Sequence, residues 1–176
     1  TNLVAVGVYV FDSPFFNYPM PLSYSGEYEY IEPLQAMIKE KDVFVERTDF
    51  WHPVGYPRDI DAAEKILRQE KAIPPVDHEI PAIIIAGGKG TRLPPEEQEK
   101  PKCLVEIAGK PILQHQIDML RAQGFKRVTI SLGHKAKTVV EWLKKNGYAD
   151  VKYVIEKEPL GTGGGLRLAA AGVKTP

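Results

Sequence analysis

Cysteine is nearly absent: Cys103 is the only one among 176 residues. That excludes an intramolecular disulfide framework and fits a reducing compartment. Neither sign of charge is in excess, because 23 Lys and Arg balance 23 Asp and Glu. The chain therefore lacks the basic footprint that holds nucleic acid. No apolar run approaches the ~20 residues needed to span a bilayer, and no signal-peptide pattern opens the sequence. These absences predict a soluble, cytoplasmic protein that engages neither membrane nor nucleic acid. The histidines, at 52, 78, 115 and 134, have no metal-ligand spacing. No G-x-S-x-G elbow and no H-E-x-x-H helix is present. What the chain does have is 43% hydrophobic residues, enough for one domain with a sizeable core.

The central stretch runs from Ala82 through Ile83, Ile84, Ile85 and Ala86 to Gly87-Gly88-Lys89-Gly90-Thr91-Arg92. An apolar run without alternation reads as a strand buried on both faces. Glycines at its end let backbone N–H groups approach a phosphate closely. Thr91 adds a hydroxyl, and Arg92 adds a permanently charged fork that matches phosphate oxygens. The spacing does not fit a P-loop, and the third glycine of the dinucleotide fingerprint is missing.

Around this stretch the chain changes character. Leu3 to Phe11 reads as a buried strand, and Phe15 to Gly26 as either a packed surface loop or a substrate-facing lid. Helices are expected from Pro33 to Glu40 and from Pro57 to about Gln69, with a short strand at Val43–Val45. Glu70 to Ile80, with its Pro-Pro pair, sets a linker at 71–80 between a segment 1–70 and a segment 81–176. The two segments are expected to form one structural domain. After Pro81, strands at Ala82–Ala86, Arg127–Leu132 (alternating) and Val151–Ile155 interleave with helices. The helices are Pro111 to Gly124, Lys135 to Lys145 and Thr162 to Ala171. Repeated β-α-β units predict an α/β fold with a mostly parallel sheet, Rossmann-like, binding ligands at the carboxyl edge.

The combined string is G-G-x-G-T-R-L followed by P-K-x-L-x-x-I-x-G-K-P, at Lys100 to Pro111. It resembles the signature of the sugar-1-phosphate nucleotidylyltransferases, or NDP-sugar pyrophosphorylases. The resemblance implies transfer of a nucleoside monophosphate from a nucleoside triphosphate to a sugar 1-phosphate, with Mg²⁺ as cofactor. It assigns Ala86, Gly87, Gly88, Gly90 and Thr91 to the nucleotide, and Arg92 and Lys102 to the reacting phosphates. Glu156 to Gly164 resembles the family's base-contacting turn, with Leu160, Gly161 and Thr162 as contacts; it is more similar to the guanylyltransferases than to the deoxythymidine class. Glu156 itself reads equally well as a site residue or a surface charge. Glu29, in Gly26-Glu27-Tyr28-Glu29-Tyr30, resembles a sugar-contacting glutamate.

The order of parts departs from the family, whose glycine signature stands at the amino terminus. Here residues 1–70 resemble the family's carboxyl-terminal portion, so the fold is expected to be permuted and incomplete, without the strand ending in Asn-Gly-Asp. Pro53 stands where the resemblance implies a metal-binding aspartate. Asp49 and Asp59 lie nearby, and His52 reads as a packing residue or a metal ligand, so the metal ligands stay unassigned. Cys103 is expected to be buried within a strand rather than nucleophilic. The alternative function is a non-catalytic nucleotide- or sugar-nucleotide-binding relative, or a fragment of a longer enzyme. A homo-oligomer formed through an open sheet edge is also expected.

Overall fold

The computed structural model describes residues 13–24, 26–43, 81–91, 93 and 97–172. The strand expected at Leu3–Phe11, the helix from Pro57 and the linker at 71–80 lie outside these residues, as does most of the strand at Val43–Val45. The principal sheet contains β1 (Ala82–Ala86), β4 (Val128–Leu132) and β5 (Lys152–Ile155), in the order β1-β4-β5 and all parallel. A two-stranded ribbon, β2 (Glu106–Ile107) and β3 (Lys110–Pro111), closes through Ala108 and Gly109. Both turn residues have positive φ, 51° and 76°, which matches the twist of a two-residue hairpin.

Helix α1 (Ile31–Ile38) precedes the sheet, and α2 (Ile112–Ala122), α3 (Ala136–Lys145) and α4 (Gly161–Ala171) follow its strands. Leu113 and Ile117 on α2, and Val139 and Leu143 on α3, recur at helical spacing and are essentially fully buried against Ile130 and Leu132. Pro111 sets the start of α2, and Gly124 follows it at φ 94°. Helix α4 packs on the opposite face, where a Cβ on its Gly165 would lie 3.2 Å from Ser131 Oγ. Chain direction therefore reverses after β5: two connections run over one face, and α4 returns over the other toward β1. In open α/β sheets such a reversal locates the ligand crevice at the strands' carboxyl ends.

Two strands differ from their sequence pattern. Ile84 in β1 is buried but Ile85 is 37% exposed, because β1 pairs only with β4 among the described residues. β4, whose sequence alternates, is buried at all five positions, because it is central and covered on both faces. Thr129 and Ser131 face α4 without surfacing. Helix α1 begins two residues earlier than expected and carries Pro33 in its first turn. In the Phe15–Gly26 segment, the first residues belong to a 3-10 helix, Ser13–Asn17. The segment's Phe15 and Met20 form a second small core with Met37, against which Leu166 of α4 rests.

Candidate functional site

The glycine loop leaves the carboxyl end of β1 and is fixed from below by the turn after β4. His134 N donates to Gly87 O at 3.1 Å, and Gly133 passes so close that a Cβ there would lie 2.8 Å from the same oxygen. Gly90, at φ 69°, would place a Cβ 3.2 Å from Lys102 Cβ. The glycine loop and the Pro-Lys pair, separated in sequence by a polar loop, therefore meet in space. Gly88 and Thr91 are exposed, and a Cβ on Gly88 would meet no atom within 4 Å. Its backbone is open to a ligand.

The second turn is tied to the first through Glu156. Its N–H donates to Leu132 O at 2.8 Å, which places it just beyond β5. Its half-buried carboxylate accepts from Ser131 Oγ (3.1 Å) at one oxygen and from Leu160 N (3.1 Å) at the other. Gly87 and Gly165 flank it: a Cβ on either would lie 2.6 Å or 2.8 Å from Oε1. One carboxylate thus links the glycine loop, the central strand, the turn carrying Leu160 and Gly165 of α4. Such a group accepts only, and each oxygen keeps capacity for a further donor.

Residues 26–30 complete this edge. Tyr28 N donates to Leu160 O (3.2 Å), and Gly163 N donates to Tyr28 O (2.7 Å). Glu29 is half-buried, and its backbone lies against Gly163. Ala86, Gly87, Gly88, Gly90, Thr91, Lys102, Leu160, Gly161, Thr162 and Glu29 therefore all lie at or near the carboxyl edge of β1 and the start of α4. Arg92, Asp49, His52, Pro53 and Asp59 lie outside the described residues.

The profile of the MobA-like NTP transferase domain matches residues 82–176. The chain belongs to this family. Among curated relatives, a mannose-1-phosphate guanyltransferase of Yarrowia lipolytica is 40% identical over 90 residues, covering 49% of this chain and 25% of that protein. A D-glycero-alpha-D-manno-heptose 1-phosphate guanylyltransferase of Campylobacter jejuni is 40% identical over 87 residues, covering 49% of this chain and 39% of that protein. The crystal structure of HddC from Yersinia pseudotuberculosis complexed with GMP-PN is 38% identical, with a TM-score of 0.49, over 53% of this chain and 43% of that one. The chain spans between a quarter and two fifths of the length of these curated relatives.

Within this NTP transferase domain, the matched span begins at the first residue of β1 and includes both glycine-rich turns. Among the described residues, no three His, Cys, Asp or Glu side chains gather as a metal cage. With no such group, the described residues do not by themselves fit a Mg²⁺ site. Cys103 lies in a 3-10 turn (Lys102–Leu104), not in a strand, and burial pushes its thiol up to about 11. Ser131, Gly133, Lys135 and Gly165 also shape the site, yet no motif marks them. A pair of small residues before a helix and an extra glycine inside one were their only traces in the sequence.

Proposed function

We propose that this chain binds a nucleoside triphosphate, with guanine its best-fitting base, where Ala86 to Arg92 meets Leu160 to Thr162. It does so as part of a sugar-1-phosphate nucleotidylyltransferase. The observation that carries this reading is the Glu156 carboxylate lying between Gly87 and Gly165 while holding Leu160 N. Guanine offers N–H donors along the edge that adenine presents as an acceptor, so an acceptor-only carboxylate favours it. Two similar proteins named as guanyltransferases support the same base.

In the reaction, a phosphate oxygen of the sugar 1-phosphate attacks the α-phosphorus in line. The new P–O bond forms as the bond to the β-phosphate oxygen breaks, and pyrophosphate leaves. Exposed N–H groups of the glycine loop, with Thr91 and Arg92, cradle the triphosphate, while Lys102 neutralises charge near the reacting centre. Glu29 accepts from a sugar hydroxyl at the start of α4. When bound, Mg²⁺ would supply further charge neutralisation on the phosphates. The permuted order of segments belongs to the same reading, supported by the seating of residues 26–30 on α4. So does a homo-oligomer, supported by the second edge of β1, which lacks a partner strand among the described residues.

Titration calorimetry with GTP, ATP and dTTP tests the proposal: GTP should bind tightest. The double variant Arg92→Ala/Gly88→Val should lose at least about tenfold, the worth of one or two charge-assisted phosphate contacts. Unchanged binding by the double variant would refute the assignment. A second reading, a non-catalytic nucleotide-binding relative or one part of a longer enzyme, is favoured by Pro53 at the position of an expected aspartate.

A further inference from the structure

Lys135 combines two unusual features at the junction of β4 and α3. Its backbone is left-handed, at φ 54° and ψ 33°, a conformation that L side chains adopt only at a cost. Strained positions of this kind persist where the surrounding structure holds them, and they cluster at functional sites. Its side chain also does something specific. Nζ donates to Gln98 O and to Glu99 O, both at 2.7 Å, closing the end of the 3-10 turn Glu97–Glu99. An ammonium group suits that place, because the carbonyls at the end of a helical turn carry negative partial charge.

The turn it holds is connected in both directions to the phosphate side of the site. Gln98 Nε2 donates to Leu93 O, and Leu93 N donates to Gly90 O at 2.9 Å. Leu93 is buried, which anchors that end. On the other side, Glu99 is followed by Lys100, buried Pro101 and Lys102, whose Cβ lies beside Gly90. The same β4–α3 turn supports Gly87 through His134 N. One short turn therefore fixes the glycine loop directly, through His134, and the Glu97–Glu99 turn through Lys135.

We propose that Lys135 is a positioning residue: it clamps the Glu97–Glu99 turn and so holds Gly90 and Lys102 at the spacing a triphosphate requires. The role rests on the proposed function, since it presumes that phosphates bind there. It does not require Lys135 to touch the nucleotide.

Three variants of the whole chain test this: Lys135→Met, Lys135→Arg and Gln98→Ala. Digestion with a glutamate-specific protease in the absence of nucleotide reads the clamp, since Glu97 and Glu99 lie in the held turn. Calorimetry with GTP and with GMP reads the positioning. Lys135→Met should be cleaved there roughly tenfold faster, the effect of losing hydrogen bonds from a charged donor. It should bind GTP roughly tenfold more weakly, with GMP affinity changed less than about twofold, because GMP lacks the outer phosphates. Gln98→Ala should do the same to a smaller degree, and Lys135→Arg, which can still donate to two carbonyls, should restore both readouts. Cleavage of Lys135→Met at the wild-type rate overturns the clamp. Equal losses of GTP and GMP affinity, or no rescue by arginine, overturn the positioning role. Wild-type protein that binds no triphosphate removes the functional reading and this role with it. That failure is distinguishable because the digestion pattern does not depend on nucleotide.

Discussion

Replacing Gly163 by alanine tests whether residues 26–30 are seated on α4. In an isolated helix the change would stabilise by about 1 kcal/mol, since alanine is the better helix former. Here a Cβ would lie 2.7 Å from the backbone carbon of Glu29, 2.9 Å from its oxygen and 2.7 Å from Met20 sulfur. A sulfur at the end of a flexible side chain can move, but a backbone carbonyl moves only with its segment. If residues 26–30 separate from α4, Gly163 N→Tyr28 O (2.7 Å) and Tyr28 N→Leu160 O (3.2 Å) are lost, at about 1 kcal/mol each. If they stay, overpacking costs about 1–3 kcal/mol. Against the propensity gain, the net is a destabilisation of about 1 kcal/mol if the segment separates and of up to about 2 kcal/mol if it stays, or a fall of up to about 8 °C in Tm for a chain of this size. Gly88→Ala is the control, because nothing lies within 4 Å of its Cβ position; it should change stability by less than about 0.5 kcal/mol. Thermal melts give the stabilities, and amide exchange at Gly163 reports the local opening. A Gly163→Ala protein as stable as the wild type, with Gly163 exchange unaltered, would show that the seating is wrong.

Three further outcomes are expected. Ala108→Gly should stabilise by about 0.5–1 kcal/mol in chemical denaturation, because φ 51° strains alanine but not glycine; a loss of stability would contradict the hairpin geometry. Cys103 should react with a maleimide slowly at pH 8 and accelerate until about pH 11, since burial raises its thiol from 9.0 to about 11. The folded state then favours the neutral thiol, so this contribution to stability is complete below pH 9 and fades between 9 and about 11; rapid labelling at pH 8 would contradict it. Pyrophosphate release from GTP with mannose-, glucose- and heptose-1-phosphates should run on the order of a thousandfold or more below that of a relative with both implied metal-binding aspartates. Robust Mg²⁺-dependent turnover would instead point to Asp49 or Asp59 as having taken over the metal.

The helices of the NTP transferase part were readable because their apolar residues recur at helical spacing and their ends carry proline or glycine. Leu113, Ile117, Val139 and Leu143 all point inward as that spacing demands. The strands were less transparent. An uninterrupted apolar run suggested that β1 was covered on both faces, and β4 read as an alternating strand; instead β4 is buried at all five positions and β1 only at Ile84. Periodicity reports side-chain character, whereas burial depends on which strand stands in the middle, a property of sheet order. Thr129 and Ser131 are polar yet enclosed because a glycine-rich helix lies over them and Ser131 donates to Glu156. The site was legible where it is local, in the two glycine turns. Glu156, balanced between a site residue and a surface charge in the sequence, becomes central through Ser131 and Gly87, both far from it along the chain. Lys135 was invisible, since a hydrogen bond from a lysine to two backbone carbonyls leaves no mark on residue type.

The seating of the early segment on α4 also bears on how the protein is made. Arg167 on α4 donates to Phe16 O at 3.3 Å across 151 positions of sequence. At roughly 5–20 residues per second of synthesis, that partner arrives about 8–30 s after Phe16 leaves the ribosomal active site. For that interval Phe15 and Met20 lack Leu166, which rests against their small core in the finished fold. The nascent chain therefore carries this small core without its α4 side for longer than a domain built from neighbouring elements would. Translation speed and chaperone access should therefore bear on its yield in the cell alongside its final stability.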